Sequence, residues 1–62
     1  PNDQYAWYYQ GHCHAALNNR DEAVNCLLEA IDIAPNTMLE LAKNNDIFNS
    51  YWQDEKLSKF LE

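Results

Sequence analysis

Hydrophobic residues recur at helical spacing along the chain, and no run alternates apolar and polar residues as a half-buried strand does. The pattern is clearest over residues 21–34, where apolar residues share one face and polar residues share the other. The apolar face comprises Ala23, Leu27, Ala30, Ile31 and Ala34, and the polar face comprises Glu22, Asn25, Glu29 and Asp32. Four more residues widen the apolar arc beyond half the circumference: Val24, Leu28, Cys26 and Ile33. The pattern predicts a helix that contacts neighbours on two sides.

The preceding segment has helical length but carries no Asp, Glu, Lys or Arg between Asp3 and Arg20. Asp3 suits the N-cap of this helix, and Asn18-Asn19 suits a turn into the next one. A helix without charge on any face is normally enclosed by protein. We therefore expect a neighbouring repeat or a bound partner to cover part of it.

The pattern changes after Pro35. Thr37 and Glu40 have the spacing of a capping box, which predicts the start of a short helix. Asn44-Asn45-Asp46 should end that helix, and the following aromatic residues should adopt irregular or short-turn geometry. A last short helix is expected to begin at Asp54, with Ser50 and Gln53 as an alternative start.

An internal period of 34 residues is indicated by Pro1-Asn2, which recurs as Pro35-Asn36. The residues between resemble the tetratricopeptide repeat (TPR), whose signature runs W-x2-L-G-x2-Y, A-x3-F and P. Here the signature reads Trp7-x2-Gln10-Gly11-x2-His14, then Ala23-x3-Leu27, then Pro35. Gln10, His14 and Leu27 depart from it, and a hydrogen bond between Gln10 and His14 could satisfy both.

The resemblance implies an all-α fold: a TPR-type antiparallel helical hairpin, which is a fragment of an α-solenoid, followed by one or two short capping helices. As one domain, residues 1–2 would end a preceding repeat, residues 3–36 would form the hairpin and residues 37–62 the cap. The residues expected to pack the repeat are Trp7, Gly11, His14, Ala23, Leu27, Ala30 and Pro35. Among the cap residues, Phe48, Trp52, Leu57 and Phe60 should cover the flank of the second helix around Val24, Leu28 and Ile31.

Composition excludes several classes of function. Ten acidic and four basic residues give a net charge of −6, so the chain lacks the basic face that nucleic acids require. No apolar run approaches the roughly 20 residues of a membrane span. His12, Cys13 and His14 point about 100° apart on a helix and cannot converge on one metal ion. We expect no enzyme activity and no cofactor, and two unpaired cysteines in a reducing, cytoplasmic setting.

The resemblance implies a protein–protein interaction module, the C-terminal repeat and cap of a larger scaffold or adaptor. The first helices of TPR proteins line a groove that binds a peptide or a partner helix. The residues expected on that groove face are Tyr5, Tyr8, His12, Ala15 and Ala16. Tyr8 and His12 stand where the family's carboxylate clamp has Lys and Asn, so an acidic peptide terminus is not the expected ligand.

The alternative is a purely structural role, in which the tail folds over the groove face and the segment only closes the array or pairs with a copy of itself. With either role, we expect an upstream repeat to cover the side with Ala6, Tyr9 and Cys13 in the parent protein. The isolated chain would self-associate through that side.

Overall fold

Two long helices form a hairpin in the computed structural model, which describes residues 3–61. Helix α1 spans Gln4–Ala16 and helix α2 spans Arg20–Ile33. The Asp3 carboxylate caps α1 by accepting a hydrogen bond from the Tyr5 backbone N–H at 2.9 Å. Asn18 turns the chain with a φ of 64°, in the left-handed region that Asn tolerates better than most residues. The predicted N-cap and turn are confirmed.

The predicted faces of α2 are also confirmed. Its polar residues are exposed, and Ala23, Leu27, Ala30 and Ile31 are buried, with Ala34 half-buried just after the helix. Ile33, at one edge of the apolar arc, stays 40% exposed.

Pro35 both follows α2 and begins α3, which spans Pro35–Lys43. The capping box predicted at Thr37 and Glu40 is therefore wrong, since the N-cap of α3 is Ala34, three residues before Thr37, and α3 has no side-chain cap. Proline is well suited to the first helical position, because its φ is already helical and that position needs no N–H donor. The first helical hydrogen bond runs from the Met38 N–H to the Ala34 carbonyl at 3.0 Å.

The tail begins with a run of 3₁₀ helix, Asp46–Gln53, called here the 3₁₀ segment. Asn45 caps it, because its Oδ1 accepts a hydrogen bond from the Ile47 N–H at 3.2 Å. A short helix α4, Glu55–Ser58, follows and passes into a 3₁₀ turn, Lys59–Leu61. The Asp54 carboxylate accepts from the Lys56 N–H at 2.9 Å, so Asp54 and not Ser50 begins the last helix.

One hydrophobic core joins the hairpin to the tail. Its largest fully buried side chains are Leu27 of α2, Met38 of α3, Phe48 of the 3₁₀ segment and Leu57 of α4. The all-α hairpin with a helical tail is confirmed, and no strand occurs within residues 3–61. Residues 1–2, expected to end a preceding repeat, lie outside the described residues. The division at residue 36 stays a prediction.

Helices α1 and α2 approach each other closely at Gly11. A Cβ at this position would lie 3.3 Å from the Ala23 carbonyl oxygen and 3.4 Å from the Leu27 backbone nitrogen. Because both are backbone atoms, the helices must separate to admit a branched side chain.

Gly11→Val should therefore lower the free energy of unfolding by about 1–3 kcal/mol, the usual cost of overpacking. Gly11→Ala is the matched control. It adds one tight methyl group but gains about 0.5–1 kcal/mol of helix propensity, so it should stay within about 1 kcal/mol of the unmodified chain. Urea denaturation measures both variants. A Val variant as stable as the unmodified chain would show that the helices do not meet at Gly11.

Candidate interaction surface on the first helix

Helix α1 has a buried side, an exposed side and a side that contacts the tail. Gly11 and Ala15 are buried. Tyr5, Tyr9 and Leu17, the residue that ends the helix, are 53%, 68% and 70% exposed. Among the large hydrophobic side chains of the described residues, these three have the highest exposed fractions. None of the 13 residues of α1 carries a carboxylate, ammonium or guanidinium group. The name α1 outer face is used here for the exposed Tyr5, Tyr9, Ala16 and C-cap residue Leu17, together with the half-buried Ala6 and Cys13.

The third side of α1 lies under the tail. Tyr8 and His12 are half-buried there, and the Phe48 ring meets both of them edge to face. The ring centroids are 5.7 Å apart for Tyr8 and 6.4 Å for His12. Tyr51 packs against Phe48 in the same way at 5.7 Å. Such perpendicular aromatic contacts are favourable beyond the area they bury, so the cluster fixes the 3₁₀ segment on α1.

Hydrogen bonds from Asn45 reinforce this contact. Its Nδ2 donates to the Tyr8 hydroxyl at 2.9 Å and to His12 Nδ1 at 3.1 Å. The Tyr8 hydroxyl in turn donates to the Leu41 carbonyl at 3.3 Å. This set of bonds, called here the Asn45 bridge, joins residues more than thirty positions apart and ties the end of α3 to α1.

The structure therefore divides the predicted groove face. Tyr8 and His12 contact the tail and Ala15 is buried, whereas Tyr5 and Ala16 remain exposed. The tail fold-over that the sequence left as an alternative applies to Tyr8 and His12. Binding of a partner through these five residues stays a prediction.

The tail reaches α1 as well as the predicted flank of α2. Phe60 lies beside Leu28 and Ile31, as the sequence predicts, where these residues line a shallow depression. Phe48 shares the core cluster with Val24 and Ile31 of that flank, and its ring also contacts Tyr8 and His12 of α1, which the sequence did not predict. The sequence analysis missed the contact between Phe48 and α1 because the path of the chain through an eight-residue 3₁₀ segment cannot be predicted from a short sequence pattern.

The predicted bond between Gln10 and His14 is absent from the described part of the chain. Gln10 is exposed, and His14 Nδ1 is buried without a hydrogen-bond partner. Gln10 can hydrate its amide in water, so it gains little by bending toward the imidazole.

Sequence reasoning also missed a second link between hairpin and tail. The Arg20 guanidinium lies 4.7 Å from the centre of the Tyr51 ring and donates to the Ser50 carbonyl at 3.3 Å. The sequence gives no signal for this pairing, since Arg20 is simply the first residue of α2.

Candidate chemistry is sparse among the described residues. No three His, Cys, Asp or Glu side chains within residues 3–60 come together as a metal site requires. The helices of the described part are too short or too polar to cross a bilayer. Cys13 is half-buried and Cys26 is buried, and both are free thiols.

Burial raises the pKa of the Cys26 thiol, and the nearby carboxylates of Glu22 and Glu29 raise it further. The thiolate is the reactive form, so Cys26 should react more slowly than Cys13. At pH 8 we expect iodoacetamide to alkylate Cys26 at least tenfold more slowly, as peptide mass spectrometry can measure. A Cys13→Ser variant supplies the control for Cys26 alone. Equal rates at the two thiols would contradict the packing of Cys26 between α1 and α2.

The geometry defines a class of protein, an α-helical hairpin of the kind that stacks into solenoids. Residues 4–37, more than half of the chain, match the family model described as tetratricopeptide repeat. The chain belongs to the tetratricopeptide repeat family. Comparisons with curated proteins and with solved structures give no match. TPR repeats generally mediate protein–protein interaction and are typically not catalytic.

Proposed function

We propose that this chain is a protein-interaction module, the C-terminal repeat and cap of a larger scaffold or adaptor, which binds a peptide or a partner helix. The observation that carries the proposal is the exposed, uncharged α1 outer face, in a chain whose net charge is −6. Tyr5 and Ala16 form the open part of the predicted groove face, with the edges of Tyr8 and His12 beside them. No catalytic step, cofactor or nucleic acid enters this function.

The chemistry of the face suits a protein ligand. Tyrosine offers a large apolar ring with a polar tip and loses little conformational entropy on binding, which is why it is frequent at interfaces. An uncharged face favours an apolar ligand surface over a charged peptide terminus. The two free cysteines fit the reducing setting of the cytoplasm, where we place the protein.

A displayed random-peptide library selected on the chain tests the proposal. Selected peptides should lose at least tenfold in affinity for Tyr5→Ala, as titration calorimetry can measure. Ile33→Ala is the matched control, because Ile33 is a comparably exposed apolar residue on α2 and should leave affinity unchanged. Both variants should keep the far-UV circular dichroism of the unmodified chain. Peptides that bind Tyr5→Ala as tightly as the unmodified chain would contradict a ligand site on this face.

A second candidate function, self-association, is favoured by the position of Tyr9 near the middle of the α1 outer face. Two copies that meet through this face bring no like charges together, because the acidic side chains of α2 lie elsewhere. An upstream repeat would cover the same side in a longer array.

We therefore expect concentration-dependent dimers of the 62-residue chain in sedimentation analysis. Tyr9→Glu should suppress them by at least tenfold, since it would bury a charge at the centre of the contact. Glu29→Lys, on the exposed polar face of α2, should hardly change them. A strict monomer at all concentrations, or dimers that tolerate Tyr9→Glu, would sink the self-association function.

A further inference from the structure

The Asn45 bridge depends on one uncharged imidazole nitrogen. The amide nitrogen Nδ2 of Asn45 can only donate, so His12 Nδ1 must accept in the 3.1 Å contact. An imidazole that accepts at Nδ1 is neutral and carries its proton on Nε2. A protonated imidazole carries a hydrogen on both nitrogens and would point an N–H at the amide N–H.

We infer that the Asn45 bridge makes the docking of the 3₁₀ segment on α1 sensitive to pH, with His12 as the titrating group. Protonation of His12 turns the contact between Asn45 Nδ2 and His12 Nδ1 from a hydrogen bond into a repulsion of two donors. This pH sensitivity arises from the contact between Asn45 and His12 within the chain and does not depend on what the α1 outer face binds.

A rotation of the Asn45 amide cannot relieve this repulsion. Its Oδ1 accepts from the Ile47 N–H at 3.2 Å and so caps the 3₁₀ segment. Turning the amide over would offer Oδ1 to His12 but would set Nδ2 against the Ile47 N–H. The repulsion would then lie between Asn45 Nδ2 and the Ile47 N–H instead of between Asn45 Nδ2 and His12. With either orientation of the amide, Asn45 at the start of the 3₁₀ segment loses one hydrogen bond.

The proton would add a charge that no ion pair among the described residues neutralises. Among the described residues no carboxylate forms an ion pair with the His12 imidazole. Phe48, whose ring lies 6.4 Å away, supplies an apolar wall. The other titratable groups on the elements around it are Tyr5, Tyr8, Tyr9, Cys13 and His14 of α1, Glu40 and Lys43 of α3, and Asp46 and Tyr51 of the 3₁₀ segment. Arg20 of α2 is directed to Tyr51.

The sign of the effect follows from the bond itself. Because the folded contact requires the neutral imidazole, the bond is present above the pH range in which His12 takes up its proton and is lost below it. An imidazole changes charge between about pH 5 and pH 8. Acidification should loosen the 3₁₀ segment and uncover Tyr8 and His12.

The test is nuclear magnetic resonance of the ¹⁵N-labelled full chain between pH 8 and pH 5. At pH 8 the His12 ring should show the Nε2–H tautomer. The exchange protection of the Ile47 and Phe48 amides, corrected for the intrinsic effect of pH, should fall about tenfold by pH 5. The amide of Ala34, bonded to the Ala30 carbonyl at the end of α2, should keep its protection.

Variants separate His12 from other sources of pH dependence. His12→Gln keeps a side-chain acceptor but cannot titrate, so the fall should disappear. In His14→Gln the amide protection of the 3₁₀ segment should fall as much as in the unmodified chain. In Asn45→Ala this protection should be low at both pH values.

The inference would be overturned by an Nδ1–H tautomer at pH 8, by protection that persists after His12 protonates, or by a fall in protection that His12→Gln retains. A loss shared equally by Ala34 would mean global unfolding and would overturn it as well.

Discussion

Deleting residues 46–62 is expected to leave a chain that unfolds or aggregates. The deletion removes three buried side chains, those of Phe48, Tyr51 and Leu57. Burial of each is worth about 1.5–3 kcal/mol, so together they match the roughly 3–9 kcal/mol total stability of a domain of this length. Helix α3 would also lose its contacts with the 3₁₀ segment. Circular dichroism and thermal melting should show loss of the cooperative transition.

A shorter truncation supplies the control. Removing residues 59–62 takes away no fully buried side chain among the described residues, since Phe60 is only half-buried. This variant should keep a cooperative transition at a lower midpoint. If the chain that ends at Asn45 stayed monomeric and as stable as the full chain, the tail would not be a cap.

Phe48→Ala should produce the largest loss of any single substitution in the tail. Phe48 is fully buried and its ring contacts Tyr8, His12 and Tyr51. Truncating a buried Phe to Ala costs about 3–5 kcal/mol, through lost burial and the cavity left behind. For so small a domain this loss leaves a large unfolded fraction at 25 °C, which urea titration can quantify.

Phe60→Ala is the matched control for Phe48→Ala. Phe60 is half-buried beside Leu28 and Ile31, with the Lys59 ammonium 5.3 Å from its ring centre. Its truncation should cost about 1–2 kcal/mol, since much of the ring already meets water. Equal losses for the two variants would place Phe48 outside the centre of the core.

The hairpin could be predicted from the sequence because its signals are local and agree with one another. The helical spacing of α2 separates a buried face from an exposed one, and Gly11 stands where two backbones meet. Pro35 ends α2, because a proline cannot supply the N–H that would continue the helix. Asp3 and Asn18 suit the cap and turn that they form.

The path of the tail could not be predicted, because distant contacts determine it. Thr37 and Glu40 fit the capping-box spacing, but Pro35 begins α3 earlier. The spacing alone therefore predicted the wrong start for α3. Asn45 looked like a helix breaker, yet its amide joins α3, α1 and the 3₁₀ segment. An amide can donate to any acceptor that the fold brings near, so its partners cannot be deduced from its neighbours in sequence.

The candidate site, like the fold, could be predicted from the sequence only where its signals are local. The absence of charge in α1 indicated a face that meets protein, and Tyr5 and Ala16 remain open for that role. Tyr8 and His12 lie on the same stripe by helical spacing, but the spacing could not show that Phe48 would cover them. Their separation from Phe48 by more than thirty residues puts that contact beyond any local pattern.

The packing of the tail on the hairpin depends most on the position of Phe48 against α1. Nuclear Overhauser measurements on the full chain test it directly. We expect strong cross-peaks from the Phe48 ring protons to the ring protons of Tyr8 and His12, whose ring centroids lie 5.7 Å and 6.4 Å from that of Phe48. Cross-peaks from Phe48 only to Val24, Leu28 and Ile31 of α2, with none to α1, would contradict it.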